Sequence, residues 1–284
     1  MGIPSDMVPA AKKTLHGAHN RQDKHRLISN LAEHPIIALW SHPRSMSTAT
    51  ERVMRERGDL RCFHEPFMYL YYVGDGVKEM PHFEADEEHP TSYEDIRAML
   101  LSAGGEGPVF FKDMSYYVLD RMTADEEFAR RLTNTFLIRD PAKSILSFYR
   151  KDPGVKLEEI GLEAQWRHFE WLTGLLGAPP PVMDAADIQA DPAGMIRAWC
   201  DAAGLEFLPH SLEWDRPPPP EWEKVSVWHG EVIASQGLGK RNPAAEPECV
   251  DTALDSAPQL RAYYEHHVPF YEALRKHRLA PARE

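Results

Sequence analysis

Residues 36–48 read Ile36-Ile37-Ala38-Leu39-Trp40-Ser41-His42-Pro43-Arg44-Ser45-Met46-Ser47-Thr48. An apolar run ending at Ser-His-Pro has the pattern of a strand buried on both faces, followed by its exit turn. Met46, Ala49, Thr50 and Val53 then recur at helical spacing, so the turn opens a helix. At such an N-terminus the unpaired backbone N–H groups and the positive end of the helix dipole favour an anion. Arg44 adds a full charge with a planar fork of donors, and Ser45, Ser47 and Thr48 add hydroxyls. A plain helix cap with a surface arginine fits the same residues. A Walker loop does not: it needs glycines and a Lys-Ser/Thr pair, and residues 41–48 contain neither glycine nor lysine.

Outward from this stretch, strand and helix patterns alternate. Leu60 to His64 reads as a short strand stopped by Glu65-Pro66. Residues 67–90 mix aromatics, a Gly74-Asp75-Gly76 turn and an acidic run, the composition of a loop or lid. Thr91 to Asp95 caps a helix running to about Ser102, with Gly104-Gly105 as its stop. Residues 108–113 and 135–140 are the next strands, and Asp140-Pro141 caps and starts another helix. Leu162, Trp166, Phe169, Thr173 and Leu176 mark an amphipathic helix. Residues 182–188 form a weaker strand, and a helix from about Asp191 ends at Gly204. Pro217 to Pro220 make a stiff break, followed by a loop and two helices. This alternation predicts an α/β fold: a single three-layer α/β/α domain with a central parallel sheet.

The chain has 284 residues, 43% of them hydrophobic, enough for one sizeable core. Its net charge of −12 argues against a nucleic-acid or anionic-membrane partner, so any anion site is local. No apolar run approaches the roughly 18 residues of a spanning helix. The lysine- and histidine-bearing start lacks a signal-peptide core, so residues 1–34 read as a polar extension and the protein as cytoplasmic. Cys62, Cys200 and Cys249 are odd in number and lack zinc spacing, and no His-Glu-x-x-His or Cys-x-x-Cys pair appears, so no metal is expected.

A second arginine completes the pattern. Arg139 ends a buried strand, where parallel sheets place their ligands, and Ser147 lies two turns along the helix that follows. Arg139 and Ser147 can thus grip one phosphate, although a solvated serine face with a surface arginine fits as well. With both stretches in view, the chain resembles the sulfotransferases that use 3′-phosphoadenosine 5′-phosphosulfate (PAPS), and most closely their bacterial and carbohydrate branches. Pro43, Arg44, Ser45, Met46, Ser47 and Thr48 match that family's loop for the 5′-phosphosulfate. Arg139 and Ser147 match its 3′-phosphate motif, and the Asp191-Pro192 turn and Gly204-Leu205 match its later helix.

The resemblance implies a P-loop NTPase-like sulfotransferase fold over residues 35–284, with a core at 35–210 and a C-terminal loop and helices at 217–284. It implies PAPS as cosubstrate, no metal, and in-line sulfuryl transfer to a hydroxyl or amine of a small acceptor. Arg44 and Lys112 would stabilise the leaving oxygen. Two departures matter. Met46 replaces the family's glycine and is expected to be already helical. Met114 stands where many members carry a catalytic histidine, so the base moves to Glu65, with His64 the competitor. Strand alternation puts those two on opposite faces, and a structural ion pair at Glu65 is the plainer alternative.

The acceptor would be lined by Phe67 to Tyr72, with Tyr116, Tyr117, Trp166 and Trp228, although aromatics also fill cores. Lys240 and Arg241 could close on the 3′-phosphate, although a surface charge pair fits them better. Competing readings are an ATP-dependent P-loop kinase and a catalytically silent nucleotide-binding protein. Oligomeric state is not legible.

Overall fold

The computed structural model describes residues 34–238 and 253–283. The 1–33 part of the polar extension, together with Lys240, Arg241 and Cys249, lies outside the described residues. In chain order the strands and α-helices are β1 (Ile36–Ser41), α1 (Ser47–Arg57), β2 (Arg61–His64), α2 (Tyr93–Glu106), β3 (Val109–Met114), α3 (Ser115–Thr123), α4 (Glu126–Arg131), β4 (Thr133–Ile138), α5 (Pro141–Tyr149), α6 (Leu162–Leu176), β5 (Val182–Asp184), α7 (Ala185–Ala190), α8 (Pro192–Ala203), α9 (Ser226–Ile233) and α10 (Pro258–Arg275).

The strands form one parallel sheet in the order β2-β3-β1-β4-β5. Every residue of β1 is fully buried, because helices cover both faces and an apolar run is the sequence such a strand requires. Alternation divides it. Ile36, Ala38 and Trp40 enter one core with Phe111, Phe136 and Phe169. Ile37 and Leu39 enter the other with Val53, Phe110 and Trp199. Each such side chain contributes about 2 kcal/mol of burial. Trp40 would strand its indole N–H in this core, but it donates to the Asn134 side chain at 2.8 Å.

Three expectations shift. The helix α2 runs through Gly104-Gly105 to Glu106. Gly104 is there for close approach, since a Cβ on it would stand 2.6 Å from Ile36 on β1. The fifth strand is only Val182–Asp184, because the Asp184 carboxylate accepts from the Ala186 N–H and starts α7 at once. Within 67–90, Phe67, Met68, Tyr69 and Leu70 are buried in the main core and lead into a π-helical turn, Leu70–Gly74. Only the part beyond that turn is largely exposed.

The order 2-3-1-4-5 fixes where a ligand can sit. From β1 the chain runs towards β2 on one side, and from β3 it crosses β1 to reach β4, so the crevice opens at the carboxyl ends of β1 and β4. The Gln165 amide on α6 clamps those ends by donating to Trp40 O at 3.0 Å and Leu137 O at 2.9 Å.

Candidate active site

Because β1 and β4 are neighbours, their exit loops meet. Arg44 has φ 63° and Met46 φ 77°, so the turn winds through two left-handed residues before Ser47 begins α1. The expectation for Met46 is therefore corrected: it is the N-cap of α1, in the conformation glycine adopts most cheaply, and the helix starts one residue later. Gly161, at φ 82°, lies against the same loop; a Cβ there would be 3.3 Å from His42 and 3.1 Å from Tyr116.

The two arginines converge. The Arg44 Nε donates to Ser147 Oγ at 2.9 Å, and its Nη1 donates to Trp228 O at 2.6 Å. Glu231 on α9 stands 3.8 Å from Nη2. Arg139 Nη1 donates to the Arg44 carbonyl at 2.8 Å, and the Arg139 backbone N–H donates to His42 Nε2 at 3.0 Å. Ser45 Oγ is fully buried and has no hydrogen-bond partner among the described residues. An orphaned buried hydroxyl in a turn at a helix N-terminus, beside two arginines, fits a bound anion. On α5, Ser144 is buried and turns its hydroxyl to Pro141 O, so only Ser147 of the expected serine face reaches the loop.

Beyond Arg44, a buried polar cluster spans β2, β3 and α1. The Lys112 ammonium, fully buried, donates to Glu65 and lies 4.0 Å from Glu51 on α1. His64 Nδ1 is 2.6 Å from Glu51 Oε2. Strand alternation would separate residues 64 and 65, but Glu65 takes φ 42° just past the end of β2, which swings its carboxylate onto the side of Lys112. Both therefore join one cluster, and the ion pair at Glu65 is present. Burial opposes ionisation of Glu51, yet His64, Arg55 and Lys112 hold its carboxyl well below the usual carboxylate range. Asp113, buried beside Glu65, is pushed well above that range, chiefly by burial.

Tyr71, Tyr72, Tyr116 and Tyr117 pack edge to face or tilted near Glu65, with centroids 4.6 to 5.5 Å apart. Burial raises the phenols of Tyr72, Tyr116 and Tyr117. Other anticipated acceptor residues do different work. Phe67 is core, packed on Tyr93 and Phe111. Trp166 stacks on Phe169. The Trp228 ring meets Phe148 while its carbonyl holds Arg44. A cavity of about 450 Å³ opens beside His64, with Tyr69, Phe83 and His89 in its wall. Glu65 is not part of that wall.

Sequence reasoning missed His42, Glu51 and His229. Glu51 carried a weak signal, one helical turn after Ser47; His229 carried none, since its partners Thr48 and His64 are 181 and 165 residues away. Among the described residues, no three His, Cys, Asp or Glu side chains are grouped so that they could hold a metal ion, and no helix is long and apolar enough to cross a membrane.

A family model described as the sulfotransferase domain matches residues 35–278. The chain belongs to that family. It is 26% identical over 219 residues to branched-chain-amino-acid aminotransferase-like protein 2 of Arabidopsis thaliana, covering 75% of this chain and 37% of that protein. It is 27% identical over 253 residues to the like protein 1 of the same plant, covering 87% and 43%. The domain thus spans under half the length of these relatives. A sulfotransferase structure from Alicyclobacillus acidocaldarius is 13% identical with a TM-score of 0.45, covering 87% of this chain and 97% of that one.

Proposed function

We propose that the chain transfers a sulfuryl group from PAPS to a hydroxyl or amine of a small acceptor. The observation that carries this reading is the meeting of Arg44, Arg139 and Ser147 beyond the carboxyl ends of β1 and β4, where two grips can hold the two ends of one doubly phosphorylated adenosine. Ser45, Ser47, Thr48 and the N-terminus of α1, begun by Met46, would take the 5′ end, and Arg139 with Ser147 the 3′-phosphate.

In this reading the acceptor oxygen or nitrogen bonds to sulfur as the bond from sulfur to the bridging oxygen breaks. Glu65 takes the acceptor's proton, and Arg44 and Lys112 stabilise the charge left on the bridging oxygen, so that fixed cations do what a metal does elsewhere. His64 is a poorer base, because Glu51 and His229 already engage both its ring nitrogens. Thermal-shift titration tests the assignment. Stabilisation by adenosine 3′,5′-bisphosphate without metal supports it, and a response only to Mg-ATP contradicts it.

A further inference from the structure

Four side chains from three elements, α1, β2 and α9, form a largely buried chain that ends at the first turn of α1, beside the anion loop. Thr48 Oγ1 is 3.3 Å from His229 Nδ1, His229 Nε2 is 3.0 Å from His64 Nε2, and His64 Nδ1 is 2.6 Å from Glu51 Oε2. Glu51 Oε1 accepts from Arg55 Nε at 2.8 Å and from Trp222 Nε1 at 3.2 Å. Trp222 also walls both imidazoles, with ring centroids 6.0 and 5.5 Å away.

Donor and acceptor rules leave this chain two protonation states. The Glu51 carboxylate only accepts, so His64 Nδ1 carries hydrogen in both. With both rings neutral, His64 Nε2 is a lone pair, His229 Nε2–H donates to it, and His229 Nδ1 accepts from the Thr48 hydroxyl. Thr48 then has only lone pairs left for an anion. With one more proton, His229 also carries Nδ1–H and the two Nε2 atoms share one hydrogen, written here on His64 as an imidazolium whose Nε2–H donates to His229 Nε2. His229 then carries its hydrogen on Nδ1 and donates to Thr48, and the Thr48 hydrogen is free to point at an anion. The two states differ by one proton.

We propose that anion binding at the Arg44–Thr48 turn draws one proton into the His64–His229 pair and turns the Thr48 hydroxyl into a donor, with His64 and His229 as positioning residues. This rests on the reading above, in which Thr48 faces the 5′ end of the nucleotide.

The charged groups around the pair allow both states. Glu51 and Arg55 face it from α1, Lys112 from β3 and Arg44 from the loop. Arg55 is paired with Glu221 at 2.6 Å, Lys112 with Glu65, and Arg44 lies near Glu231. The Cys62 thiol on β2, pushed up by burial to about 12, stays neutral. Burial and the neighbouring His64 hold the His229 ring well below the usual histidine range, so an added proton is not held by His229 as a cation. An anion raises the proton affinity of the pair. Its own affinity is then full below the pair's free-state pKa and falls up to tenfold per pH unit as pH rises towards the bound-state pKa.

Calorimetric titration with adenosine 3′,5′-bisphosphate, in buffers of different ionisation enthalpy from pH 6 to 8.5, reads this directly. The unaltered protein is compared with His64→Asn, whose amide can still donate to Glu51 but takes up no proton. The ligand's own phosphate titration is common to both. The expected result is that the unaltered protein takes up about one more proton and loses affinity more steeply with pH; equal uptake overturns the proposal while leaving the nucleotide reading intact. Absence of binding at every pH ends both. If His64→Asn does not fold, histidine 15N shifts of the unaltered protein decide. A doubly protonated His64 with Nδ1–H on His229 at saturation supports the proposal, and unchanged tautomers overturn it.

Discussion

Arg44 and Ser147 are 103 residues apart, yet the Arg44 Nε donates to Ser147 Oγ at 2.9 Å. The bond ties the turn after β1 to the helix after β4, and it exists because those two strands are neighbours in the sheet. The two candidate grips are thereby held in register by the protein itself, so little ordering cost falls on ligand binding. Replacing Ser147 with Ala removes one partner of a charge-assisted bond. Affinity for adenosine 3′,5′-bisphosphate is expected to fall about tenfold, roughly 1.4 kcal/mol, with little change in Tm; calorimetric titration and scanning calorimetry check both.

Arg44 carries more. Its guanidinium holds Ser147 and the Trp228 carbonyl at once, and in the proposed reaction it faces the developing charge. Arg44→Ala is expected to lower kcat by about 10²- to 10³-fold, the scale of one lost oxyanion donor. Arg44→Lys should recover only part of this, because an ammonium lacks the planar fork. Steady-state sulfate transfer on a panel of acceptors measures it.

The Lys112–Glu65 pair is buried, and its energetics follow from that. Glu65→Gln or Lys112→Met alone leaves a buried charge without its main counter-ion, and each is expected to cost about 3 to 5 kcal/mol in urea denaturation. The double variant Lys112→Met with Glu65→Leu should recover most of that stability while remaining inactive. Full activity in the double variant would remove both residues from the chemistry.

Acid sensitivity comes from buried histidines. Burial holds His42 at about 3, with the neighbouring His267 and Arg139 adding to the effect, and burial alone holds His168 at about 3. Both are neutral when folded and bind protons when unfolded below about pH 6.5. Their contribution is full above pH 6.5 and is lost as pH falls towards 3, at about 1.4 kcal/mol per pH unit for each. His168→Gln is therefore expected to flatten the stability profile between pH 6 and 4 by that amount relative to the unaltered protein, read by urea denaturation across the range.

The legible parts of this protein were those written locally. An uninterrupted apolar run gave away β1, since only a strand covered on both faces needs one, and Asp140-Pro141 marked the start of α5 through its own capping chemistry. What stayed hidden depends on backbone sign and on distance. Met46 and Glu65 adopt positive φ without being glycine, so no residue type signalled the reversal of alternation that brings Glu65 to Lys112. Phe67 to Leu70 looked like a loop because their partners, among them Tyr93 and Phe111, are far along the chain. The link from His229 to His64 crosses 165 residues, and no periodicity records such a contact.

The most direct test of the account asks whether Arg139 reads a 3′-phosphate on the nucleotide whose 5′ end Arg44 holds. Titrating the unaltered protein and Arg139→Ala with adenosine 3′,5′-bisphosphate and with adenosine 5′-monophosphate isolates that phosphate. The account predicts metal-independent binding in which the bisphosphate is preferred by about 10- to 100-fold, on the scale of one charge-assisted contact, with the preference lost in Arg139→Ala. Equal affinity for the two nucleotides in the unaltered protein, or a preference that survives the substitution, would contradict it.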